Sequence, residues 1–232
     1  MSIEQQITDK ELAGLIDHTL LEASVSESQI KELCAEAVDY GFYSVCVSPR
    51  WVSLAAEQLE GTGVKVGSVV GFPLGADTTK IKAAQAHDGI FNGADEIDMV
   101  ADLTAIIDGN ERYLFGQLQA VKRVCDAMRP KVVLKVIIES VALNDDAKLF
   151  VCEIAQRVKV DFIKTSTGLH SAGGAKAEDV RLIKEAAPDC RVKAAGGIRT
   201  LEQALEMLEA GADRIGTSSG VVIINQLRAR QQ

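Results

Sequence analysis

The sequence predicts an α/β fold, a (β/α)8 or TIM barrel that forms a single domain over residues 1–232. Short apolar runs rich in β-branched residues recur along the chain, and each is followed by an amphipathic helical pattern. The units repeat at roughly 30 residues, the length expected for eight strand–helix units of such a barrel. A doubly wound open sheet would also alternate strands and helices, but the first strand–helix turn carries no GxGxxG pattern and no linker divides the chain.

The elements can be placed in order from these patterns. The predicted strands are residues 15–20, 44–47, 65–70, 96–100, 132–138, 162–165, 192–195 and 214–217. The clearest helical patterns cover residues 26–40, 77–92, 110–128, 144–158 and 201–210. Ser26 and Thr200 are expected N-caps because acidic and amide side chains follow each within three residues. Gly41, Gly93 and Gly211 come just after helical patterns, where a left-handed residue often ends a helix.

Composition excludes several classes of protein. A net charge of −8 and an aromatic content of 4% are unlike a nucleic-acid-binding protein, which presents basic stripes and stacking aromatics. No apolar stretch is long enough to cross a bilayer, and the first residues, Met-Ser-Ile-Glu-Gln-Gln, lack a secretory pattern. Five cysteines without a CxxC pair are expected to be reduced thiols of a cytoplasmic protein. The three histidines lack metal-ligand spacing, so no metal site is expected.

Charged residues interrupt several of the predicted strands. Lys164 and Lys193 each stand in an apolar run, and a buried ammonium is costly to desolvate unless it is paired or functional. Two neighbouring ammonium groups are expected to lower each other's pKa, and a neutral lysine amine can attack a carbonyl to form a Schiff base. Strand alternation places further charged side chains on the same interior face: Asp17, Glu96, Asp98 and Lys135. An ion network that serves packing alone is the alternative, but charges near the catalytic face of a barrel favour function.

Loops rich in glycine and hydroxyl groups follow the last three strands. They read Thr-Ser-Thr-Gly at 165–168, Gly-Gly-Ile at 196–198 and Gly-Thr-Ser-Ser-Gly at 216–220. Barrels often hold a phosphate on the backbone N–H groups of such loops and on a helix N-terminus. The pattern therefore predicts a phosphorylated small-molecule substrate.

Four other residues have less specific chemistry. Cys46 either faces the barrel interior and traps aldehydes or is a plain buried thiol, the commoner case. Trp51 is expected to pack a helix, and His18 and His170 are expected to be loop or strand-end residues rather than bases.

Seven segments, in order along nearly the whole chain, resemble the deoxyribose-phosphate aldolase family of class I aldolases. These segments are residues 16–21, 71–75, 92–100, 134–139, 161–168, 193–200 and 215–220. The resemblance implies that Lys164 forms the Schiff base, that Lys193 lowers its pKa and shuttles protons, and that Asp98 is the acid/base group. It also implies a phosphate cradle formed by Gly168, Gly196, Gly197, Ser218 and Ser219. We further expect Asp17, Lys135 and Thr167 to bind substrate.

The family reaction is the reversible cleavage of 2-deoxy-D-ribose 5-phosphate to D-glyceraldehyde 3-phosphate and acetaldehyde. The resemblance therefore implies a cytoplasmic lyase of deoxyribonucleotide and carbohydrate catabolism that uses neither cofactor nor metal. We expect a homo-oligomer, a dimer or a tetramer, with no membrane or nucleic-acid partner. A phosphosugar isomerase or epimerase, and a non-catalytic sugar-phosphate-binding barrel, are the competing interpretations.

The chain departs from relatives at three places. Leu169 stands where some relatives carry a lysine near the phosphate, so phosphate binding is expected to depend more on backbone amides. Residues 140–142, Ser-Val-Ala, lack a glycine common in relatives, and the last residues contain no tyrosine that could reach the active site.

Overall fold

The structure is a computed structural model that describes residues 7–231. Residues 1–6, on which the expectation of no secretory pattern rests, and residue 232 lie outside the described part. Eight parallel strands pair in chain order and close into a barrel through the pairing of the first with the eighth. The strands are β1 Ile16–Leu20, β2 Ser44–Val47, β3 Lys65–Val70, β4 Glu96–Val100, β5 Val133–Ile137, β6 Phe162–Lys164, β7 Arg191–Ala195 and β8 Arg214–Thr217. The predicted barrel is confirmed, and every strand end falls within one residue of its predicted position.

Helices surround the barrel and cover the outer face of the strands. Within residues 7–231 they are α1 Asp9–Ala13, α2 Glu27–Tyr40, α3 Val52–Gln58, α4 Thr79–Phe91, α5 Leu103–Ile107, α6 Glu111–Ala127, α7 Asp145–Val158, α8 Ala177–Ala186, α9 Leu201–Glu209 and α10 Gly220–Arg230. None of them is long and apolar enough to cross a bilayer. Ser26 and Thr200 cap α2 and α9 with reciprocal side-chain and backbone hydrogen bonds, as predicted. Gly41 ends α2 at φ 72°, a left-handed conformation that favours glycine.

Each strand is buried on both faces, because helices cover one face and the barrel closes over the other. Outward residues such as Ile97 and Val136 pack with the helices in the hydrophobic core. Trp51 is partly buried against that core, as expected. The inner face differs, since charged residues occupy positions that apolar side chains fill in most barrels.

Candidate active site

Strand register brings the interior charges together. Lys164 pairs in register with Lys193 between β6 and β7, and Asp98 pairs with Lys135 between β4 and β5. Because paired residues of neighbouring parallel strands point to the same face, each pair extends side by side into the barrel. The structure therefore gathers at one level the lysines and the aspartate that the sequence singled out.

Asp98 lies at the centre of this cluster and is fully buried. Its Oδ2 accepts hydrogen bonds from the Nζ atoms of Lys164 at 2.9 Å and Lys193 at 2.8 Å. Its Oδ1 accepts from Lys135 Nζ at 2.8 Å. Burial alone would raise the pKa of Asp98, but the three lysines hold it well below its usual range. Asp98 is therefore a carboxylate with an ammonium or amine on each side.

A second fully buried carboxylate, Asp17, contacts two of the lysines and Arg214 of β8. Its Oδ2 is 2.6 Å from Lys193 Nζ and 3.2 Å from Lys135 Nζ, and its Oδ1 accepts from Arg214 Nη1 at 2.7 Å. Arg214 was missed by the sequence reasoning. The signal that could have found it is strand alternation, because Arg214 stands two residues before Gly216 on β8 and shares its inward face.

The charges of the network do not balance. Three buried carboxylates face four buried cations: Asp17, Glu96 and Asp98 against Lys135, Lys164, Lys193 and Arg214. Within residues 7–231, each of the other cations has at least two carboxylate partners, whereas Lys164 has only Asp98. Lys164 is therefore the cation that the network holds least firmly.

The pKa shifts of the two lysines follow from these contacts and differ in sign. Burial, assisted by the Lys193 ammonium and opposed by Asp98, lowers the pKa of Lys164. Burial opposes the charge of Lys193 as well, but Asp17 and Asp98 outweigh it and raise the pKa of Lys193. The expected lowering holds for Lys164, whereas the net pKa shift of Lys193 is upward because Lys193 has a second carboxylate that Lys164 lacks.

Lys164 also opens onto a cavity at the carboxyl ends of the strands. The loops after β1, β6, β7 and β8 line this cavity, and five of the predicted binding residues are among its walls: Thr167, Gly168, Gly196, Gly197 and Ser218. Ser219 is not a wall residue, and its N–H donates to the Thr217 hydroxyl at 2.9 Å. Asp17 and Lys135 lie buried in the network rather than on the cavity wall, so their contact with substrate stays a prediction.

Arg199 is a cavity residue that the sequence reasoning missed. It follows the Gly196–Gly197 turn, is exposed, and forms no ion pair with any residue between 7 and 231. Its position after β7, in the loop already predicted to bind phosphate, was the available signal. The backbone N–H groups of Gly168, Gly197 and Ser218 likewise donate no hydrogen bond within the described chain. The cavity thus has free donors opposite Lys164.

The remaining candidates lie elsewhere. Cys46 is buried in the barrel, where burial raises the pKa of its thiol. His170 is exposed in the loop after β6, as expected. His18 lies inside β1 rather than at its end, and its Nε2 is 2.7 Å from Glu36 Oε2 on α2. Across residues 7–231, no group of three or more His, Cys, Asp or Glu side chains is arranged to hold a metal ion.

Comparison with known proteins places this geometry in a family. Residues 12–225 match the model of the DeoC/LacD family of aldolases. The chain is 47% identical over 221 residues to the deoxyribose-phosphate aldolase of Caldicellulosiruptor saccharolyticus, covering 95% of this chain and 100% of that one. It is 48% identical over 221 residues to the deoxyribose-phosphate aldolase of Thermococcus gammatolerans, covering 94% of this chain and 97% of the relative.

A solved structure agrees with the sequence comparisons. The tetrameric deoxyribose phosphate aldolase of Aeropyrum pernix superimposes with a TM-score of 0.89 at 31% identity, covering 96% of this chain and 93% of that one. Full-length matches at these identities share both fold and descent. The chain therefore belongs to the DeoC/LacD family of aldolases.

Proposed function

We propose that this chain is a class I aldolase that reversibly cleaves 2-deoxy-D-ribose 5-phosphate to D-glyceraldehyde 3-phosphate and acetaldehyde. The relatives named above support the reaction. The observation that carries the proposal is Lys164, a buried lysine with a lowered pKa at the base of a cavity rich in free donors. A phosphosugar isomerase would have no need of such an amine.

Lys164 is the proposed nucleophile. An unperturbed lysine, with a pKa of about 10.4, is almost entirely protonated at pH 7 and cannot attack a carbonyl. The lowered pKa of Lys164 increases the fraction of neutral amine. The amine adds to the C1 aldehyde of the open-chain sugar, and uptake of one proton with loss of water from the carbinolamine gives an iminium ion.

The iminium ion is the electron sink for carbon–carbon cleavage. The C2–C3 bond breaks because acetaldehyde retains C1 and C2, and the electron pair moves into a two-carbon enamine. The C3 hydroxyl must lose its proton as glyceraldehyde 3-phosphate forms, and C2 must gain one before hydrolysis. Asp98 and Lys193, which share a hydrogen bond at 2.8 Å next to Lys164, are the proposed acid/base pair, directly or through a water.

The cavity wall is the proposed binding site for the phosphate. The amides of Gly168, Gly197 and Ser218 are free to donate, and α10 begins at Gly220 with the positive end of its dipole near Ser218. Arg199 supplies a cation in the cavity wall, so binding does not depend on amides alone although Leu169 brings no charge. Gly196 belongs to the loop after β7 and Ser219 to the loop after β8, and each shapes its loop.

Borohydride trapping tests the proposal. The enzyme is incubated with acetaldehyde, reduced with sodium borohydride, and digested for peptide mass analysis. We expect one ethyl adduct, on Lys164, because reduction converts the imine to a stable secondary amine. An adduct on a different lysine, or no adduct together with no release of acetaldehyde from deoxyribose 5-phosphate, refutes the assignment. The second result also favours the non-catalytic interpretation.

The cellular setting belongs to the same proposal. We infer a cytoplasmic homo-oligomer, a dimer or a tetramer, supported by the tetrameric Aeropyrum relative and by five free cysteines. Exposed apolar side chains such as Phe91 and Ile107 are available for contacts between copies. Light scattering coupled to gel filtration tests the assembly. The absence of a cofactor or metal requirement stays a prediction.

A further inference from the structure

Glu139, directly after β5, has an unusual backbone conformation. Its φ of 52° and ψ of 58° lie in the left-handed region, and within residues 7–231 only Lys159 is another non-glycine residue with positive φ. Lys159 ends α7, where this conformation is common. Glu139 ends no helix, and a left-handed residue with a side chain persists only where its surroundings impose it, often near a functional site.

The conformation belongs to a bulge between β5 and β6. The N–H of Ile138 donates to Lys164 O at 3.0 Å, and the N–H of Ser140 donates to Thr165 O at 2.8 Å. In a regular parallel ladder, successive donors on one strand are two residues apart and so are their acceptors on the other. Here the donors, Ile138 and Ser140, are two residues apart, but the acceptors, Lys164 and Thr165, are only one apart. Glu139 is therefore an extra residue, and such bulges re-aim a side chain beside active sites.

The re-aimed carboxylate contacts the β6–α8 loop, residues 165–176. Glu139 is buried, and within the described chain no cation pairs with it. Its Oε2 accepts from the Thr167 hydroxyl at 2.6 Å, and its two oxygens share the Thr167 N–H at 3.2 and 3.3 Å. The Thr167 hydroxyl in turn accepts from the Leu169 N–H at 3.1 Å. The carboxylate thus fixes the turn that contains Gly168.

We propose that Glu139 is a positioning residue that sets the β6–α8 loop for phosphate and thereby favours phosphorylated over unphosphorylated substrates. The inference rests on the proposed function for its substrate. Thr167 donates both its hydroxyl and its N–H to Glu139. The Gly168 N–H therefore remains as the free donor of this turn. A side chain at Gly168 would approach Gly196 Cα at 3.3 Å, so the turn lies tightly against the β7 loop. A small shift of Thr167 would therefore displace the donor.

Two variants separate positioning from ordinary structural support. Glu139→Gln keeps the size of the side chain but removes the charge and one acceptor for the Thr167 donors. Asp179→Asn is the control, because Asp179 is another buried carboxylate that accepts from Ser140 Oγ at 2.8 Å and does not touch Thr167, although it also pairs with Lys148 at 2.7 Å. Each variant is assayed for cleavage of deoxyribose 5-phosphate and of unphosphorylated deoxyribose. Binding of inorganic phosphate is measured separately from amide NMR shifts of the glycine loops.

We expect Glu139→Gln to lower kcat/KM for deoxyribose 5-phosphate about tenfold relative to kcat/KM for unphosphorylated deoxyribose, because the KM of the phosphorylated substrate rises. The affinity for inorganic phosphate should fall by a similar factor. Asp179→Asn should leave both quantities within about twofold even if its Tm falls. An unchanged ratio and phosphate affinity in Glu139→Gln, or equal losses with both substrates, overturns the inference.

Failure of the proposed function gives a different result. If wild-type enzyme forms no imine with acetaldehyde, the aldolase proposal fails, while the phosphate titration still decides the role of Glu139. A double-mutant cycle of Glu139→Gln with Thr167→Val tests whether the two residues act on phosphate affinity together. Thr167→Val should have little further effect on phosphate affinity when Glu139 is already Gln, whereas fully additive losses contradict a shared action.

Discussion

Two regions of the molecule bury a lysine with a lowered pKa, and only one of them is the candidate active site. Lys164 lies in the barrel interior beside Asp98. Lys82, on α4, lies between the barrel and the outer helices, where burial lowers its pKa to about 8. Its Nζ donates to Gly75 O at 2.6 Å, Val100 O at 2.8 Å and Gln117 Oε1 at 3.0 Å.

The difference between the regions lies in access and in neighbours. Lys82 is fully buried and is not among the walls of the cavity. All three of its partners are neutral oxygens, from the loop after β3, the end of β4 and α6. Lys164 opens onto the cavity and has a carboxylate and a second lysine within reach. A lowered lysine pKa therefore indicates burial, and chemistry requires in addition an open path and a proton partner.

The same substitution at both sites gives the largest contrast. Lys164→Met should lower turnover by about 10³-fold or more, because the covalent intermediate is lost. Lys82→Met should leave turnover within about threefold but lower the Tm by roughly 5 °C, since three buried oxygens lose their donor. Steady-state acetaldehyde release and thermal unfolding measure the two effects. Comparable loss of turnover in both variants would break the comparison.

Asp98→Asn tests the carboxylate that Lys82 lacks. We expect turnover to fall by about 10²- to 10⁴-fold, the usual range for loss of a general acid or base, while far-UV circular dichroism shows a folded barrel. Stability should also fall, because three lysines then face an amide instead of a carboxylate. Near-normal turnover would remove Asp98 from proton transfer and leave it only as an ion partner.

Lys193→Met tests the second lysine through the pH dependence of imine formation. The Lys193 ammonium lowers the pKa of Lys164, so its removal should raise that pKa. A higher pKa means that a higher pH is needed to obtain the neutral amine, and the rate of acetaldehyde trapping should therefore rise at more alkaline pH than in wild type. A profile that does not move would assign the lowered pKa of Lys164 to burial alone.

The smallest expected effect is on stability around Lys82. Its pKa is about 8 in the folded state, below the value of about 10.4 expected when unfolded, so between these values the unfolded chain binds more protons. Protonation of Lys82 therefore disfavours the folded state at neutral pH, and this penalty is relieved as pH rises from about 8 to about 10. Urea unfolding should show the free energy of unfolding of wild type rising over this range relative to Lys82→Met. A constant difference would contradict the lowered pKa.

Residues in regular strands were the ones whose positions could be predicted from the sequence. Strand alternation and chain-order pairing sufficed to place Asp98, Lys164 and Lys193 together, because both are regular features of a barrel. Arg214 was not predicted to belong to the network because it is the first residue of its strand, where a charged side chain usually faces solvent. The burial of Lys82 was not predicted because a lysine on an amphipathic helix is normally exposed.

The loop residues were harder to predict for a different reason. The orientation of Glu139 depends on a bulge between two strands, and no local pattern shows that the ladder slips by one residue. The same slip brings the Glu139 carboxylate to the Thr167 hydroxyl, while Thr167 remains in the cavity wall where the sequence placed its segment. Loop chemistry can be listed from sequence, but the direction of each donor is a property of the tertiary structure.

The surplus cation of the interior network has a consequence for the heat of the reaction. With Lys164 neutral, the three carboxylates and three remaining cations balance, and the proposed iminium ion would restore a net positive charge. Above the pKa of Lys164 the adduct must therefore take up one proton from the buffer, whereas below that pKa it takes up none. The enthalpy of acetaldehyde binding should accordingly depend on the ionisation enthalpy of the buffer only on the alkaline side, which makes calorimetry a direct measure of the protonation state of the buried amine.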